Sequence, residues 1–441
     1  MKPSSHKIST PAVIAVLLAL GLFGPYAGRA AVGSGVTNAY ADVRQSYRLL
    51  SNRFYKPIDP QVLLRAGRTA LEHFAHVHHV VVPNEAGRTG IAGLDASIAQ
   101  VAAAAHVAPS DVAYAAITAM ASSVKDRWTE FFTPKEYQAF NDALDPRKIS
   151  GIGVLMDIDP ATKLLRAYFV VPGTPAARAG VRSGDEIVGI NGVPTFGMSL
   201  VTATSHLRGA AGSVAHVTLR RDGKTLAPIA IVRSDIRPPT VVYKMLPDRI
   251  GYIFVAAFGK TTPQEFDVAL ARLRTEHARA LVLDLRNDGG GYVDSALTIL
   301  SRFISRKMLM EYQERGKGMV AIDADPGPVV HLPMVVLVNS YTASAAEITS
   351  GALQDDGIAM LVGTKTFGKG VMQTLTPLPG GSAIKITTAR YRTPNGQDIN
   401  LRGIEPNVHV KENKDARFAN VMHDAQLRAA FDLLQKKIAS R

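Results

Sequence analysis

The sequence predicts an α/β protein of several domains, in which a helical region and a small β-rich module precede an alternating strand and helix core. Three observations support this prediction. The chain has 441 residues, which is too long for one compact core. Continuous apolar runs at 280–285 and 332–338 are typical of strands buried on both faces. From residue 249 onward, strand patterns alternate with helical ones.

The composition is that of a globular protein and excludes several kinds of site. Hydrophobic residues make up 46% of the chain and charged residues 20%. The net charge of +13 is spread along the chain without a long basic run, so nucleic-acid binding is not expected. Cysteine is absent from the sequence, which excludes disulfides, thiolate ligands and a cysteine nucleophile. No cofactor is predicted.

Residues 1–30 have the pattern of a secretory signal peptide. Two lysines precede a short apolar run at 11–24, and a small-x-small cleavage site follows at 28–30. The apolar run is shorter than the ~20 residues of a spanning helix. An uncleaved anchor is the alternative, because Arg29 lies inside the cleavage site. We therefore expect export to the periplasm or another extracytoplasmic compartment, with membrane association if the segment is retained.

Residues 39–148 are predicted to be mainly helical. The stretch 94–124 is rich in alanine, with apolar periodicity and few helix breakers. Between His73 and His79 lies the richest histidine cluster of the chain. Paired imidazoles at helical spacing can bind zinc, but no carboxylate ligand is obviously placed beside them. A partly exposed polar segment is therefore favoured over a metal site.

Residues 149–236 form a β-rich module of short strands with glycine and proline punctuation. Its first loop and the longer stretch 179–193 resemble PDZ domains of the permuted kind found in secreted proteases. Glycines allow successive backbone N–H groups to converge on a peptide's terminal carboxylate, and the next strand offers an edge for an added strand. A module that only packs and gates is the alternative. The residues expected to bind the carboxylate are Gly151, Ile152, Gly153 and Val154.

In the core, the strand at 332–338 leads through a small-residue turn to Ser344 at a helix N-terminus. Serine is an ordinary N-cap, but this position also presents a hydroxyl beside unpaired N–H groups. A serine nucleophile needs a base, and no histidine stands in a comparable turn. Lys369, between two glycines, can be that base if burial keeps it neutral. Gln373 can hydrogen-bond the Lys369 amine without adding a charge that would raise the pKa of the lysine.

A glycine-rich turn after the strand at 280–285 is the candidate oxyanion hole. Gly289, Gly290 and Gly291 can present backbone N–H groups, and the N–H of Ala345 follows the serine at the helix start. A phosphate-binding loop is excluded because no Gly-Lys-Ser/Thr sequence follows the glycines.

Over roughly residues 122–410 the chain resembles the carboxyl-terminal processing proteases, also called tail-specific proteases. The matching stretches occur in the family's order, at 133–137, 151–154, 179–193, 283–287, 342–355 and 363–373. The resemblance implies a crotonase/ClpP-like protease core with an inserted PDZ domain and an N-terminal helical domain.

The resemblance also implies roles for single residues. Ser344 matches the nucleophile, Lys369 the general base and Gln373 the third polar member of the site. The oxyanion-hole amides match Gly290 and Ala345. One departure lies beside them, where Asp288-Gly289 replaces the family's usual Asn-Pro.

We therefore expect a secreted serine endopeptidase that cleaves proteins near their C-termini, with protein or peptide substrates as its partners. The expected segments are a signal peptide at 1–30, a helical region at 39–148, a PDZ domain at 149–236, a protease core at 237–410 and a C-terminal helix at 411–441. Two alternatives stay open: a non-catalytic relative that binds peptides or apolar ligands, and a crotonase-type acyl-CoA enzyme. A signal peptide and a PDZ module fit the second poorly. No particular oligomeric state is predicted.

Overall fold

The computed structural model describes residues 35–81, 90–144, 149–159, 162–413 and 418–440. The predicted signal peptide at 1–30 lies outside these residues. The described chain divides into two compact units. The second unit comprises the chain between Leu144 and Lys244 together with Gln264–Leu270, and the first unit comprises the rest.

The N-terminal segment is helical, as its alanine-rich pattern predicts. Its elements are α1 (Gly35–Arg53), α2 (Pro60–Val77), α3 (Gly90–Ala105), α4 (Pro109–Ser123), β1 (Glu130–Phe132) and α5 (Pro134–Leu144). The stretch 94–124 is divided between two helices because Pro109 takes the first position of α4, where its missing N–H costs nothing. The apolar faces of these helices bury together with Ile384 and Ile386.

The second unit is an antiparallel β module. Its elements are β2 (Ile149–Gly151), β3 (Val154–Ile158), β4 (Leu165–Val170), α6 (Pro175–Arg178), β5 (Glu186–Ile190), β6 (Val193–Pro194), α7 (Leu200–Leu207), β7 (Val214–Arg221), β8 (Lys224–Thr225), β9 (Ile229–Val232) and β10 (Ser234–Ile236). The main sheet runs in the order β3-β4-β5-β7-β8, so among the described residues β3 is an edge strand. Strand β4 alternates buried and half-buried residues, as expected of a strand with one core-facing side.

The chain from Val241 onward alternates strands and helices and, apart from Val241–Tyr243 and Gln264–Leu270, belongs to the first unit. Its elements are β11 (Val241–Leu246), β12 (Ile250–Val255), α8 (Thr262–Thr275), β13 (Ala280–Asp284), α9 (Val293–Leu300), β14 (Met308–Glu314), β15 (Met319–Asp323), β16 (Met334–Val338), α10 (Ala345–Asp355), β17 (Ala359–Gly363), β18 (Val371–Pro377), β19 (Ala383–Arg392), β20 (Val408–His409) and α11 (Ala425–Ala439).

Strands β12, β13, β16 and β17 pair in parallel, and every residue of β13 and β16 is buried. Because parallel strands end at the same edge of a sheet, the turns that follow β13, β16 and β17 meet there. A second sheet contains the antiparallel strand β19, which pairs with β1, β14 and β18. The ranges that the structure describes contain no helix long and apolar enough to cross a membrane.

Candidate active site

Ser344 occupies the N-cap position of α10 in an unusual backbone conformation. Its φ is 57° and its ψ is −118°, whereas an ordinary N-cap has a negative φ in the β region. A positive φ is costly for a residue with a side chain, and such residues cluster at functional sites. Ser344 is half-buried. The small-residue turn therefore holds the hydroxyl on a strained corner at the start of a helix.

The turn that carries Ser344 is cross-linked to the loop after β13. Asn339 Nδ2 donates to Asn287 Oδ1 at 3.0 Å, and the Asn287 N–H donates to Asn339 Oδ1 at 3.0 Å. The Thr342 hydroxyl donates to the Leu285 carbonyl at 2.8 Å. These contacts fix the glycine-rich loop beside the serine turn.

Glu347 joins the turn at 339–344, called here the serine turn, to the loop at 364–370, called here the lysine loop. This carboxylate is completely buried and accepts four hydrogen bonds. Its Oε2 accepts the backbone N–H groups of Ser344 and Lys369, each at 2.9 Å. Its Oε1 accepts the Thr366 hydroxyl at 2.6 Å and the Gly368 N–H at 2.7 Å. One oxygen atom thus binds the main chain of both predicted catalytic residues.

Tyr391 on β19 forms a second link between the same two segments. Its buried hydroxyl lies 2.6 Å from the Lys369 carbonyl oxygen and 3.3 Å from that of Ser344. Burial is the largest of the influences that raise the pKa of this tyrosine well above its ordinary value, so the hydroxyl stays a donor. The backbones of Ser344 and Lys369, distant in sequence, are therefore adjacent in the fold.

The Lys369 side chain lies against an aromatic ring. Its Nζ is 4.3 Å from the centroid of the Trp128 indole, and no hydrogen bond within the described chain joins it to the Ser344 hydroxyl. Burial lowers the pKa of Lys369 to about 8; the charges of Lys385 and Arg127 act in the same direction, against that of Glu347. The amine is consequently much closer to neutrality at physiological pH than an exposed lysine.

Gln373 lies on β18, half-buried, and its amide nitrogen is 3.3 Å from the Thr387 hydroxyl. Thr387 in turn donates to Asp126 at 2.5 Å. The amide is thus engaged with β19 in this structure and makes no hydrogen bond to Lys369 among the described residues.

The two predicted oxyanion donors differ in their surroundings. The Ala345 N–H has no hydrogen-bond acceptor within the described ranges, so it is available to a ligand. Gly290 packs against the serine turn: a Cβ added to it would lie 2.7 Å from the Ala343 oxygen and 2.8 Å from Ser344 Cβ. Its φ of 95° also requires glycine. However, the Gly290 N–H donates to Asp288 Oδ1 at 2.7 Å rather than facing the serine.

Asp288 is completely buried, and its second carboxyl oxygen has no partner in the part of the chain that the structure describes. Burial raises the pKa of Asp288 well above its ordinary value, against the lowering effect of the Gly290 N–H. A neutral acid is the physically reasonable state, because an ionised carboxylate with a single hydrogen bond would be costly here.

The predicted carboxylate-binding loop lies in the second unit. Gly153 has a φ of 87°, and a Cβ added to it would lie 2.3 Å from the Thr174 side chain, so the loop requires glycine there. Gly151 ends β2, and Val154 begins the edge strand β3. Ile152 is buried in the module's core, and α7 packs beside β3. Loop, edge strand and helix are thus neighbours within the second unit.

Sequence reasoning gave no role to Glu347, Trp128 or Tyr391. A capping-box pattern, serine followed three positions later by glutamate, could have marked Glu347. Trp128 and Tyr391 have no local signal. Trp128 precedes β1, which pairs with β19, and Tyr391 lies on β19, where its N–H donates to the Gly370 carbonyl at 3.1 Å. No group of three or more His, Cys, Asp or Glu residues that could hold a metal occurs within the described ranges, which include His73 and His79.

Comparisons with known proteins give a consistent result. Residues 249–410 match the profile of Peptidase family S41, and residues 168–221 match that of the PDZ domain. The chain is 34% identical over 329 residues to a carboxyl-terminal-processing protease of Picosynechococcus sp., covering 74% of this chain and 79% of the relative. It is 35% identical over 318 residues to the chloroplastic carboxyl-terminal-processing peptidase 3 of Arabidopsis thaliana, covering 68% of this chain and 60% of the relative.

Among solved structures, a lipoprotein from Streptococcus agalactiae matches with a TM-score of 0.51. The match covers 94% of this chain and all of the lipoprotein chain at 10% identity, and it concerns the fold alone.

Proposed function

This chain belongs to peptidase family S41, the carboxyl-terminal processing serine proteases with a PDZ domain, and from that premise we propose how its own residues carry out the reaction. Ser344 is the nucleophile and Lys369 the general base. The substrates are proteins cleaved near their C-termini. The non-catalytic and acyl-CoA alternatives have no support from the relatives, which are named as proteases.

In the proposed mechanism, the Ser344 oxygen attacks a peptide carbonyl while neutral Lys369 takes the hydroxyl proton. A bond forms between the serine oxygen and the carbonyl carbon, the C–N bond then breaks, and Lys369 returns the proton to the leaving amine. Neutral Lys369 next activates a water molecule that hydrolyses the acyl-enzyme. A pKa of about 8 leaves a useful neutral fraction at physiological pH, which an ordinary lysine would lack.

The observation that carries this proposal is the shared carboxylate oxygen of Glu347. It accepts the backbone N–H groups of Ser344 and Lys369, each at 2.9 Å. The main-chain positions that carry the two side chains are therefore close together. From there the lysine side chain would turn to the serine by rotation about its own bonds. Gln373 would orient the amine after such a rotation.

The oxyanion is proposed to bind to the N–H of Ala345 and of Gly290. The Ala345 N–H is unengaged among the described residues. For this role the Gly290 N–H would have to leave Asp288 Oδ1.

The PDZ module is proposed to recognise the substrate's C-terminal tail. The backbone N–H groups of the loop at Gly151, Ile152, Gly153 and Val154 would receive the carboxylate, and β3 would pair with the extended tail. An apolar tail fits the half-buried apolar residues that β3 presents at this edge, Val154 and Met156. We further propose that the protein is exported through its segment 1–30, which anchors it to the membrane if it is not removed.

Replacing Ser344 with alanine tests the assignment. An internally quenched peptide with an apolar C-terminal tail should be cleaved by the native protein and not by Ser344→Ala. Lys369→Arg should be equally inactive, because a guanidinium group does not deprotonate in proteins. Turnover retained by Ser344→Ala would refute the proposal, provided that both variants unfold at temperatures close to that of the native protein.

A further inference from the structure

The amine of Lys369 has an aromatic rather than an acidic neighbour. Its Nζ lies 4.3 Å from the Trp128 ring centroid, and no described residue forms a hydrogen bond or ion pair with it. A buried lysine amine usually meets a carboxylate or backbone carbonyls. Here the ring face is its contact, and this distance is within the range of a cation–π interaction.

Trp128 has further contacts besides Lys369. The following residue, Thr129, is buried and accepts the Thr387 N–H at 3.1 Å, which ties this segment to β19. The Arg127 guanidinium lies 4.5 Å from the indole centroid and 5.1 Å from that of Phe367. The Trp128 and Phe367 rings meet edge to face at 6.1 Å. The half-buried indole is therefore in contact with Arg127 and Phe367 as well as with Lys369.

An aromatic ring acts on a lysine differently from a carboxylate. Its negative face attracts the ammonium form, yet it carries no net charge and cannot accept the proton. It therefore stabilises the charged amine moderately, whereas a carboxylate in contact would keep it permanently protonated. The charged groups that face this amine are Lys385 and Arg127, which disfavour the ammonium form, and Glu347 and Asp126, which favour it.

We propose that Trp128 is a positioning residue whose indole face holds the protonated amine of Lys369, both at rest and between the two proton transfers of the reaction. This inference rests on the proposed function. When the amine loses its proton, the attraction to the ring weakens and the amine is free to turn to the Ser344 hydroxyl. Once it has taken the hydroxyl proton, the ring holds the ammonium until the proton passes to the leaving amine.

The chain offers a direct probe, because Trp128 is its single tryptophan. The indole emission of the native protein should change with pH around the Lys369 pKa of about 8. Lys369→Met, which keeps the length of the side chain without an amine, should lack this transition. The measurement needs no substrate and no change at Trp128.

Two substitutions separate the ring's electrostatics from its bulk. Trp128→Phe keeps an aromatic face, and Trp128→Leu keeps an apolar group without one. The acid limb of kcat/KM for the quenched peptide should move to lower pH in Trp128→Leu, by about 0.4 to 1.5 units, because the ammonium form loses the ring. The acid limb of kcat/KM in Trp128→Phe should move by less than half as much as in Trp128→Leu. A merely structural role would lower kcat without this ordered shift.

Equal acid limbs in the leucine and phenylalanine variants would overturn the inference. The inference would also be overturned if the indole emission of the native protein showed no transition near pH 8, or if Lys369→Met kept that transition. Failure of the proposed function would be seen in a different experiment, because Ser344→Ala would then remain active. The emission titration would still report whether the Lys369 amine contacts the indole.

Discussion

Replacing Glu347 with glutamine tests whether one buried carboxylate aligns the proposed nucleophile, Ser344, and the proposed base, Lys369. The substitution keeps the shape of the side chain but leaves a single acceptor oxygen for donors that now use two. If that oxygen faces the N–H groups of Ser344 and Lys369, the Gly368 N–H loses its acceptor. The Thr366 hydroxyl can turn to accept from the new amide. If the amide oxygen instead faces Thr366 and Gly368, the backbone N–H groups of Ser344 and Lys369 both lose their acceptor.

The cost follows from these contacts. At least one buried N–H is left unpaired, at about 1–3 kcal/mol, and the surviving bonds lose their charge assistance. A decrease of about 3 kcal/mol in the free energy of unfolding is therefore expected. A shift of the lysine loop by about 1 Å would lower kcat about a hundredfold.

A second effect separates this mechanism from general destabilisation. The negative charge of Glu347 raises the pKa of Lys369, against burial, which lowers it. Removing that charge lowers the pKa further, so the acid limb of the rate profile moves to lower pH even as kcat falls.

Rates for the quenched peptide between pH 5 and 10 and urea unfolding would measure both effects. Glu265→Gln is a matched control, because Glu265 also accepts backbone N–H groups, from Thr240 at 2.6 Å and Val241 at 3.1 Å. It should cost stability without moving the acid limb. A Glu347→Gln enzyme with native kcat, or with its acid limb moved to higher pH, would refute the reasoning.

Three further substitutions extend the test. Gly290→Ala should lower kcat at least about a hundredfold, because its Cβ would lie 2.7 Å from a backbone oxygen of the serine turn, whereas Gly289→Ala, whose Cβ meets nothing within 4 Å, should stay active. Lys369→Met should raise the free energy of unfolding at pH 7 by about 3 kcal/mol, because a pKa lowered from 10.5 to about 8 costs about 1.4 kcal/mol per unit in the native protein. The folded pKa of about 8 lies below the ordinary 10.5, so native stability should rise with pH across that window, and urea unfolding of the variant should lack the rise. Gly153→Ala should weaken binding of an apolar C-terminal peptide in calorimetry, because its Cβ would lie 2.3 Å from a neighbouring side chain; Gly151→Ala, with one contact at 3.9 Å, is the control, and equal affinities would contradict the tail-binding loop.

The fold of the core was predictable because its strands are buried on both faces. Every residue of β13 and β16 is buried and all but Asp284 are apolar, and such runs give a strong strand pattern. Parallel strands also constrain where their turns lie, so the proximity of Ser344 to the glycine-rich loop followed from the order of elements. The lysine loop after β17 reaches the same edge for the same reason.

The details that decide reactivity were not predictable in this way. The positive φ of Ser344, the engagement of Gly290 by Asp288 and the position of Lys369 over Trp128 depend on packing between distant segments. Strand pairing of β1 with β19 is what carries Trp128 to the site. Single-residue patterns contain no information about that register.

These details have a common consequence for catalysis. Two groups, the Lys369 amine and the Gly290 N–H, are engaged by Trp128 and Asp288 rather than directed at Ser344. Releasing a hydrogen bond and a cation–π contact of this kind costs about 1 kcal/mol each. If Lys369 and Gly290 act as proposed, both contacts have to be released before Ser344 can react, at a total cost of about 2 kcal/mol. The main chain needs little movement, because Glu347 already holds it in register. Under the proposed mechanism, substrate contacts that contribute about 2 kcal/mol would offset this cost without a change of fold.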